Sequence, residues 1–554
     1  MLVKTKRTLS LLLVITLVTI AFAGCGQSGT SNAPTDTPSN VQANDSGNTS
    51  NDARDSGTDA SADPVELTIW APLHWVGAVM NWNDSVAWQE IQKKTGVKLT
   101  FEHPPSDQAQ ENFNLLIASG TLPDIISTDW TGDNLYIGGG DKYINEGYIL
   151  RLNELAEQYS PDYLRCIRDF VPQNEQKEFY TDEGNMMVYY AISPYEEWNY
   201  IGLLYRQDWM EELGLDNPET FDEIENVLTR FKNEKGASNP FIFPSKPRAG
   251  IDWDNGMFLT AWDVGPSFYQ KDNVVKYGPV QPEFKEYLAL MSGWYAKGLI
   301  DRDFATRDDE ARKRMITTGE SGVIINSPDT VGDWMTGIST MIAGNYPVRK
   351  QGDKIEYRLK NYAARTPFSF AITTACKHPE EAAKFLNFGY TEEGWMIYNY
   401  GIEGEVYNKT GETFTINGHS FDKIKYTDTM MDNPPLSILD TIAKYKVHIG
   451  PFLRFEHEGN PTVNWNTAAM RQFMTDAAGT TLNMPMVSMN SDEGQEYARI
   501  MNQINTYQDT AVLEFIMGIR SLDTFEAYIA DMEKLEINKA LQIQQAALDR
   551  YNKR

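Results

Sequence analysis

The chain has few of the residues that usually signal metal sites, disulfide scaffolds or nucleic-acid binding. It holds 3 Cys and 6 His among 554 residues, without a Cys-x-x-Cys or His-Glu-x-x-His pattern, so we expect no zinc site. Asp and Glu number 77 against 49 Lys and Arg, which gives a formal net charge of −28. Because nucleic-acid binding needs clustered cations to neutralise phosphates, this balance excludes a nucleic-acid partner.

Long apolar runs are also scarce. The run from Leu9 to Phe22 is about 14 residues long, shorter than the roughly 20 that span a bilayer. It follows a basic start and precedes the small residues Ala23 and Gly24. This order is typical of a secretory signal, so we predict a signal peptide over residues 1–24.

Cys25 directly follows that segment and resembles the cysteine of the bacterial lipobox, although Phe22 stands where Leu is usual. The resemblance implies cleavage before Cys25 and its acylation, palmitate included. Two or more acyl chains hold a protein stably on a membrane. Residues 25–63 are rich in Ser, Thr, Asn, Asp, Gly and Pro, which predicts a disordered tether. We therefore expect a lipid-anchored protein on the extracytoplasmic face of the cell membrane.

The chain then alternates between strand and helix patterns. We predict strands over Val65–Trp70, Val97–Glu102 and Asp124–Ile126, and helices over Ser85–Thr95 and from a Ser106 cap to Gly120. A βαβαβ order of this kind implies parallel strands covered by helices. The predicted fold class is therefore α/β.

Helical spacing recurs at Glu283–Gly298 and at Pro379–Phe388. A last helix is predicted from Asp523 almost to Tyr551, opened by a capping box in which Glu526 follows Asp523. Since 554 residues exceed what one hydrophobic core supports, we expect two lobes.

Several phrases together resemble the extracellular solute-binding proteins of family 1, the lipoprotein receptors of carbohydrate ABC importers and the family of maltose-binding protein. The phrases are Gln89–Pro104, Phe113–Ile126, Tyr200–Leu215, Thr317–Pro328, Pro367–Phe388 and Gln544–Lys553. The resemblance implies a two-lobed, periplasmic-binding-protein-like clamp with interleaved lobes. We place lobe 1 at 65–196 and 362–430, and lobe 2 at 197–361 and 431–554.

The resemblance also implies a function without catalysis. A monomeric receptor of this family captures a carbohydrate between its lobes and delivers it to the ABC permease, and here we expect an oligosaccharide. No cofactor, metal ligand or catalytic residue is expected. Three alternatives stay open: the same clamp binding a peptide or another solute, a sensory receptor, and a surface glycoside hydrolase.

Sugar binding needs aromatic faces and planar polar groups, which in an α/β lobe belong on loops at the carboxyl ends of strands. The loop after the first strand and the loop after Ile126 match loops that carry ligand contacts in the family. For each Trp, core packing is the alternative. The predicted ligand-binding residues are Trp75, Trp82, Asn83, Asp129, Trp130, Glu197, Trp198, Asn326, Asp329 and Trp334.

Two smaller questions stay open in the sequence. Cys166 and Cys376 either form a disulfide or are two buried thiols. A structural calcium, which some family members hold, is not supported by the spacing around Gly256, because that Gly comes one place early for an EF-hand loop. Asp182-Glu183-Gly184 is interpreted as a turn.

Overall fold

The computed structural model describes residues 64–73, 79–105, 108–130, 139–194, 197–198, 201–243, 256–355, 357, 360–361, 363–431, 438–447, 449–455, 468–469, 472–473 and 482–554. The predicted signal peptide, the Cys25 lipidation site and the tether lie outside these residues. Within them, helices that combine the length and the apolar character needed to cross a bilayer are not found.

Strands and helices alternate along the described part of the chain. The strands are β1 Glu66–Trp70, β2 Lys98–Glu102, β3 Ile125–Thr128, β4 Tyr189–Ile192, β5 Glu197–Trp198, β6 Gly202–Arg206, β7 Phe241–Ile242, β8 Phe268–Lys271, β9 Val274–Tyr277, β10 Val323–Asn326, β11 Met341–Ala343, β12 Lys360–Asn361, β13 Ala364–Ile372, β14 Tyr407–Ile416 and β15 His419–Tyr426. The helices are α1 Val86–Thr95, α2 Ala109–Ser119, α3 Gly139–Asn145, α4 Asn153–Tyr159, α5 Pro161–Phe170, α6 Gln207–Leu213, α7 Phe221–Glu234, α8 Pro282–Lys297, α9 Asp309–Thr318, α10 Pro328–Met335, α11 Pro379–Asn387, α12 Glu392–Tyr400, α13 Asp428–Met431, α14 Ile438–Tyr445, α15 Ser491–Ile516, α16 Phe525–Lys534 and α17 Ile537–Lys553.

The first lobe is built on a five-stranded sheet of order β2-β1-β3-β13-β4. Strand β1 pairs in parallel with both β2 and β3, which confirms the predicted βαβαβ unit. Helices α1 and α2 end where Gly96 and Gly120 adopt positive φ angles of 69° and 67°, a conformation that glycine reaches without a Cβ penalty. The Ser106 cap lies outside the described residues.

The second lobe is built on a four-stranded sheet of order β11-β6-β10-β7. Strand β10 runs antiparallel to β6 and parallel to β7. Aromatic and aliphatic side chains from α7, α8, α15 and α16 form a separate core around this sheet, with Phe231, Trp294 and Phe515 fully buried in it. The two large cores are separate, in agreement with the two lobes expected from the chain length.

The chain passes between the lobes through paired segments. Strand β5 leads from the first sheet to the second, β12 leads back, and the two pair antiparallel with Trp198 opposite Lys360. Beside them, the Ser193 N–H donates to the Ala363 carbonyl at 2.9 Å, and the Ile192 N–H donates to the Phe452 carbonyl at 2.9 Å. We call the stretch from Pro194 to Gly202 the first crossing.

The lobe boundary proposed at residue 431 is too early. Val447, Phe452, Leu453 and Phe455 are buried in the core of the first lobe, and Leu453 forms a parallel bridge with Ile192 beside β4. The first lobe therefore continues to Phe455, because this apolar segment completes the edge of its sheet.

The predicted C-terminal helix is two helices. Glu536 has a φ of 71° and separates α16 from α17, a break that neither Gly nor Pro announces. The predicted capping box is also wrong, because α16 starts at Phe525 without a side-chain cap. The Ser521 hydroxyl instead accepts the Asp523 N–H in a short 3-10 turn.

Cys166 and Cys376 are free and buried, which confirms the interpretation as two thiols. Burial raises the pKa of Cys166 to about 12 and that of Cys376 to about 11. Both thiols are therefore protonated and weakly reactive at neutral pH. The turn at Asp182-Glu183-Gly184 is confirmed as well, with a φ of 78° at Gly184 and a hydrogen bond from its N–H to the Thr181 carbonyl.

Candidate functional site

The topology brings one edge of each sheet to the first crossing. In the first sheet, Ala364 pairs with Ile192, which comes just before the crossing, and β1 and β3 run in the same direction as β4. In the second sheet, Gly202 leaves the crossing and pairs with Asn326, the last residue of β10. The carboxyl ends of β1, β3 and β10 thus lie on the edges next to the crossing, where ligands bind in open α/β sheets.

The residues predicted after β1 belong to the first core. The Trp82 ring stacks on Trp88 with centroids 5.2 Å apart and is 8 % exposed. The Asn83 side chain is engaged on both sides: its Nδ2 donates to the Leu99 carbonyl at 3.3 Å, and its Oδ1 accepts from Gln92 at 3.0 Å. These contacts fix the loop. The structure corrects the prediction that the buried Trp82 ring faces a ligand, and the prediction for the half-buried Asn83 stays a prediction. Trp75 lies outside the described residues.

His103 holds this loop in place, a role that the sequence reasoning missed. Its Nδ1 donates to the Ala71 carbonyl at 2.8 Å, and its Nε2 accepts the Trp82 N–H at 3.1 Å. This pattern requires the neutral ring. Burial lowers the pKa of His103, which favours the same neutral form. The position of a His directly after a strand was the signal available in the sequence.

Asp129 and Trp130, which follow β3, have different environments. The Trp130 ring is 0 % exposed, donates from Nε1 to the Ile126 carbonyl at 3.3 Å, and meets Phe113 edge to face. It therefore packs beneath the strand edge, and the expectation that it offers a face to sugar does not fit this structure. Asp129 is half-buried. Burial and then the Asp129 carboxylate raise the pKa of the neighbouring Tyr190.

A buried cation holds the carboxyl end of β10. Arg312, 2 % exposed, donates from Nη2 to the Ile325 carbonyl at 3.0 Å. Asn326 is buried, and its Oδ1 accepts the Ser327 N–H at 2.7 Å. The Asn326 side chain therefore shapes the turn into α10. Arg312 was not predicted, since an Arg on a polar helix gives no sequence signal of burial.

Asp329 and Trp334 lie on the helix that follows β10. Asp329 is half-buried in the first turn of α10, near the strand edge. Trp334 is partly buried against a small core that includes Leu204 and Phe473. Of this pair, Asp329 lies nearer the carboxyl end of β10.

Glu197 and Trp198 lie in β5, within the first crossing itself. Their backbones pair with Asn361 and Lys360, as expected of residues between the lobes. The predicted residues that lie at the strand ends or within the crossing are therefore Asp129, Asp329, Glu197 and Trp198. Within the described ranges, clusters of three or more His, Cys, Asp or Glu suited to a metal ion do not occur.

Comparison with known proteins agrees with this geometry. The sequence model for bacterial extracellular solute-binding proteins matches residues 81–394. Lipoprotein LipO of Bacillus subtilis (strain 168) is 23 % identical over 423 residues, 73 % of this chain and 74 % of that protein. The fructooligosaccharide ABC transporter substrate-binding protein FusA of Streptococcus pneumoniae serotype 4 is 23 % identical over 510 residues, 85 % of this chain and 87 % of that protein.

The fold has a close counterpart among solved structures. The crystal structure of the alginate-binding protein AlgQ2 superposes with a TM-score of 0.69 at 22 % identity, covering 88 % of this chain and 99 % of that one. This likeness confirms the two-lobed α/β architecture with interleaved lobes. Taken with the sequence match over more than half of its length, it places the chain in the family of bacterial extracellular solute-binding proteins.

Proposed function

We propose that this chain is a membrane-tethered receptor that captures an oligosaccharide between its lobes and delivers it to an ABC permease. The observation that carries the proposal is the meeting of two strand-end edges at one pair of crossing strands. Such an arrangement lets the lobes close on a ligand by bending a short stretch of backbone. The receptor works by binding, without covalent chemistry.

The solute class is supported by what related proteins are named for. FusA is named for fructooligosaccharide and AlgQ2 for alginate. Half-buried carboxylates at the strand ends, such as Asp129 and Asp329, suit hydroxyl pairs, since a carboxylate accepts two directed hydrogen bonds.

The anchoring part of the proposal rests on the sequence around Cys25 and on the lipoprotein relative LipO. Acylation at Cys25 would hold the receptor beside its permease, where closing and delivery take place. Growth with radiolabelled palmitate tests this directly, and Cys25→Ser should abolish the labelling.

A ligand screen measures the melting temperature of the full-length protein in detergent micelles by intrinsic Trp fluorescence. Each measurement is made in the presence of one oligosaccharide or peptide. A ligand present at 100 times its Kd stabilises the folded state by about 2.7 kcal/mol, which shifts the melting temperature visibly. A shift with one glycan class, with the glycan recovered intact, supports the proposal. Cleaved glycan would indicate a hydrolase, and a shift with peptides alone would indicate another solute.

Site variants then test where the ligand binds. Asp129→Asn and Asp329→Asn should each reduce the glycan-induced shift. Glu533→Gln, at an exposed position on α16, should leave it unchanged and serves as the matched control. Equal shifts in all three variants would exclude the strand-end site. Pull-down of the membrane partner then distinguishes import from sensing. A permease as the partner indicates import, and a kinase indicates sensing.

A further inference from the structure

The described residues at both ends of the first crossing are held by close contacts. At its lobe-2 end, Gly202 lies against the Phe473 ring, which leaves no room for a Cβ. At its lobe-1 end, the residues before Pro194 are bonded to Ala363 on one side and to Phe452 on the other. Pro194 itself is buried.

A hairpin from elsewhere in the first lobe also reaches this end of the crossing. Strands β14 and β15 pair antiparallel, and their connection is the two-residue turn Asn417-Gly418, with φ angles of 48° and 83°. Two positive φ angles match the turn type that suits the twist of a hairpin. Phe421 and Ile424 anchor the hairpin in the first core.

The side chain at the tip of this hairpin joins three elements. Asn417 Nδ2 donates to the carbonyl of Phe170 and to the carbonyl of Pro194, both at 3.1 Å. Phe170 is the last residue of α5, so its carbonyl is one of those that a helix leaves without an internal partner. Pro194 begins the first crossing. The turn does not need this amide, since glycine supports the same backbone conformation.

We propose that Asn417 is a positioning residue that fixes Pro194, the lobe-1 end of the first crossing, to the end of α5 and so limits the interlobe geometries of the ligand-free protein. The inference rests on the proposed clamp function. With the end of the crossing held, the open protein samples few interlobe geometries, and closure loses little entropy. Without the Asn417 donor, more open geometries become accessible, and closure on a ligand costs more.

Interlobe distances in the absence of ligand give the first test. Spin labels are attached at Glu157→Cys on α4 and Glu533→Cys on α16, both exposed positions, in the full-length protein in micelles. The buried thiols of Cys166 and Cys376 do not compete, since burial raises each pKa, and Cys25 is acylated in the proposed mature protein. Double electron–electron resonance should give a wider distance distribution in Asn417 variants than in the wild type.

Two substitutions separate the donor from the turn. Asn417→Gly keeps the positive φ and removes the side chain, and Asn417→Asp keeps the shape but faces two carbonyls with an acceptor. Both should widen the distribution. Asn408→Ala, at an exposed site on the same hairpin, should not. A lower melting temperature with an unchanged distribution would reduce Asn417 to a purely structural role and overturn the proposal.

Ligand affinity gives the second test. For a glycan identified by the melting screen, Asn417→Gly and Asn417→Asp should each raise Kd by about three- to tenfold, as expected when fewer molecules occupy closure-competent geometries. An unchanged Kd contradicts the proposal. Failure of the screen to find any glycan would count against the proposed function, while the ligand-free distances would still decide the role of Asn417.

Discussion

Two of the attachments between the lobes are built in opposite ways. The first crossing and its return strand are joined by backbone pairing, as between Trp198 and Lys360. The other attachment is made by side chains, where the last turn of α17 in the second lobe contacts residues 174–182 of the first. We call this second attachment the C-terminal contact.

Tyr551 is the centre of the C-terminal contact. Its side chain is 7 % exposed, its hydroxyl donates to Glu178 at 3.2 Å, and the Lys177 ammonium lies 3.9 Å from its ring centroid. Arg554 adds a bond from Nη1 to the Tyr180 carbonyl at 2.6 Å.

Arg550 adds the charged part of the contact. It donates to Asp182 of the first lobe at 2.7 Å and with two nitrogens to Glu493 of the second lobe at 2.8 and 2.6 Å. The two attachments should therefore respond differently to perturbation. Backbone pairing is insensitive to side-chain identity and to salt, whereas the C-terminal contact depends on a few side chains and on ionic strength.

The largest effect is expected from adding a side chain at Gly202, where the Phe473 ring leaves no room for a Cβ. A Cβ there would lie 2.4 Å from Phe473 Cζ, so Gly202→Ala should lower the free energy of unfolding by about 3 kcal/mol, the upper end for overpacking. Urea denaturation measures it. Gly293→Ala in α8 is the matched control, because an added Cβ meets nothing within 4 Å there, and it should be neutral or stabilising. Equal stability of the two variants would show that the crossing tolerates repacking.

The second-largest loss of stability is expected from removing the Tyr551 ring at the C-terminal contact. Tyr551→Ala should cost about 2 kcal/mol, less than for a ring in the middle of a core because the last helical turn can relax. Tyr551→Phe keeps the ring and loses the hydroxyl bond to Glu178, so it should cost about 1 kcal/mol. The two values are compared by thermal and urea unfolding. A Phe variant as unstable as the Ala variant would mean that the hydroxyl dominates the contact.

The charged part should have a smaller effect that disappears in salt. Arg550→Met keeps the aliphatic stem and should cost about 1 kcal/mol at low ionic strength, since the pairs are partly exposed. In 1 M NaCl, where the Debye length is about 3 Å, the variant and the wild type should converge. Gly202→Ala, measured in parallel, should keep its full deficit. A salt-independent loss at Arg550 would show that packing rather than charge dominates there.

The smallest effect is expected at Lys177. Lys177→Met removes the ammonium above the Tyr551 ring and should cost about 0.5 kcal/mol, as for cation–π contacts near the surface. In the Tyr551→Ala background the same substitution should cost less, because only the 2.9 Å bond from Lys177 Nζ to the residue 551 carbonyl is then lost. A double-mutant cycle measures this coupling, and full additivity would exclude the cation–π contribution.

The helices and strands that depend on local periodicity could be predicted from the sequence. Burial and hydrogen bonds that depend on residues distant in the chain could not. Helix α1 and its end at Gly96 could be predicted because spacing and a positive φ are local properties. The burial of Trp130 could not, since the exposure of an aromatic ring depends on what packs over it. Asn417-Gly418 has the local sequence of a tight turn, but the Phe170 carbonyl that Asn417 binds lies 247 residues away.

Lobe interleaving also governs the order in which the molecule can fold. The core of the first lobe starts at Leu67 and is completed by Phe455, with most of the second lobe inserted between them. During synthesis from the amino terminus, apolar residues of the first core therefore stay exposed until about four-fifths of the chain is available. The first lobe cannot fold as a unit before that point. For the exported receptor proposed above this delay is useful, because a polypeptide that cannot complete its first core early remains unfolded enough to cross a membrane.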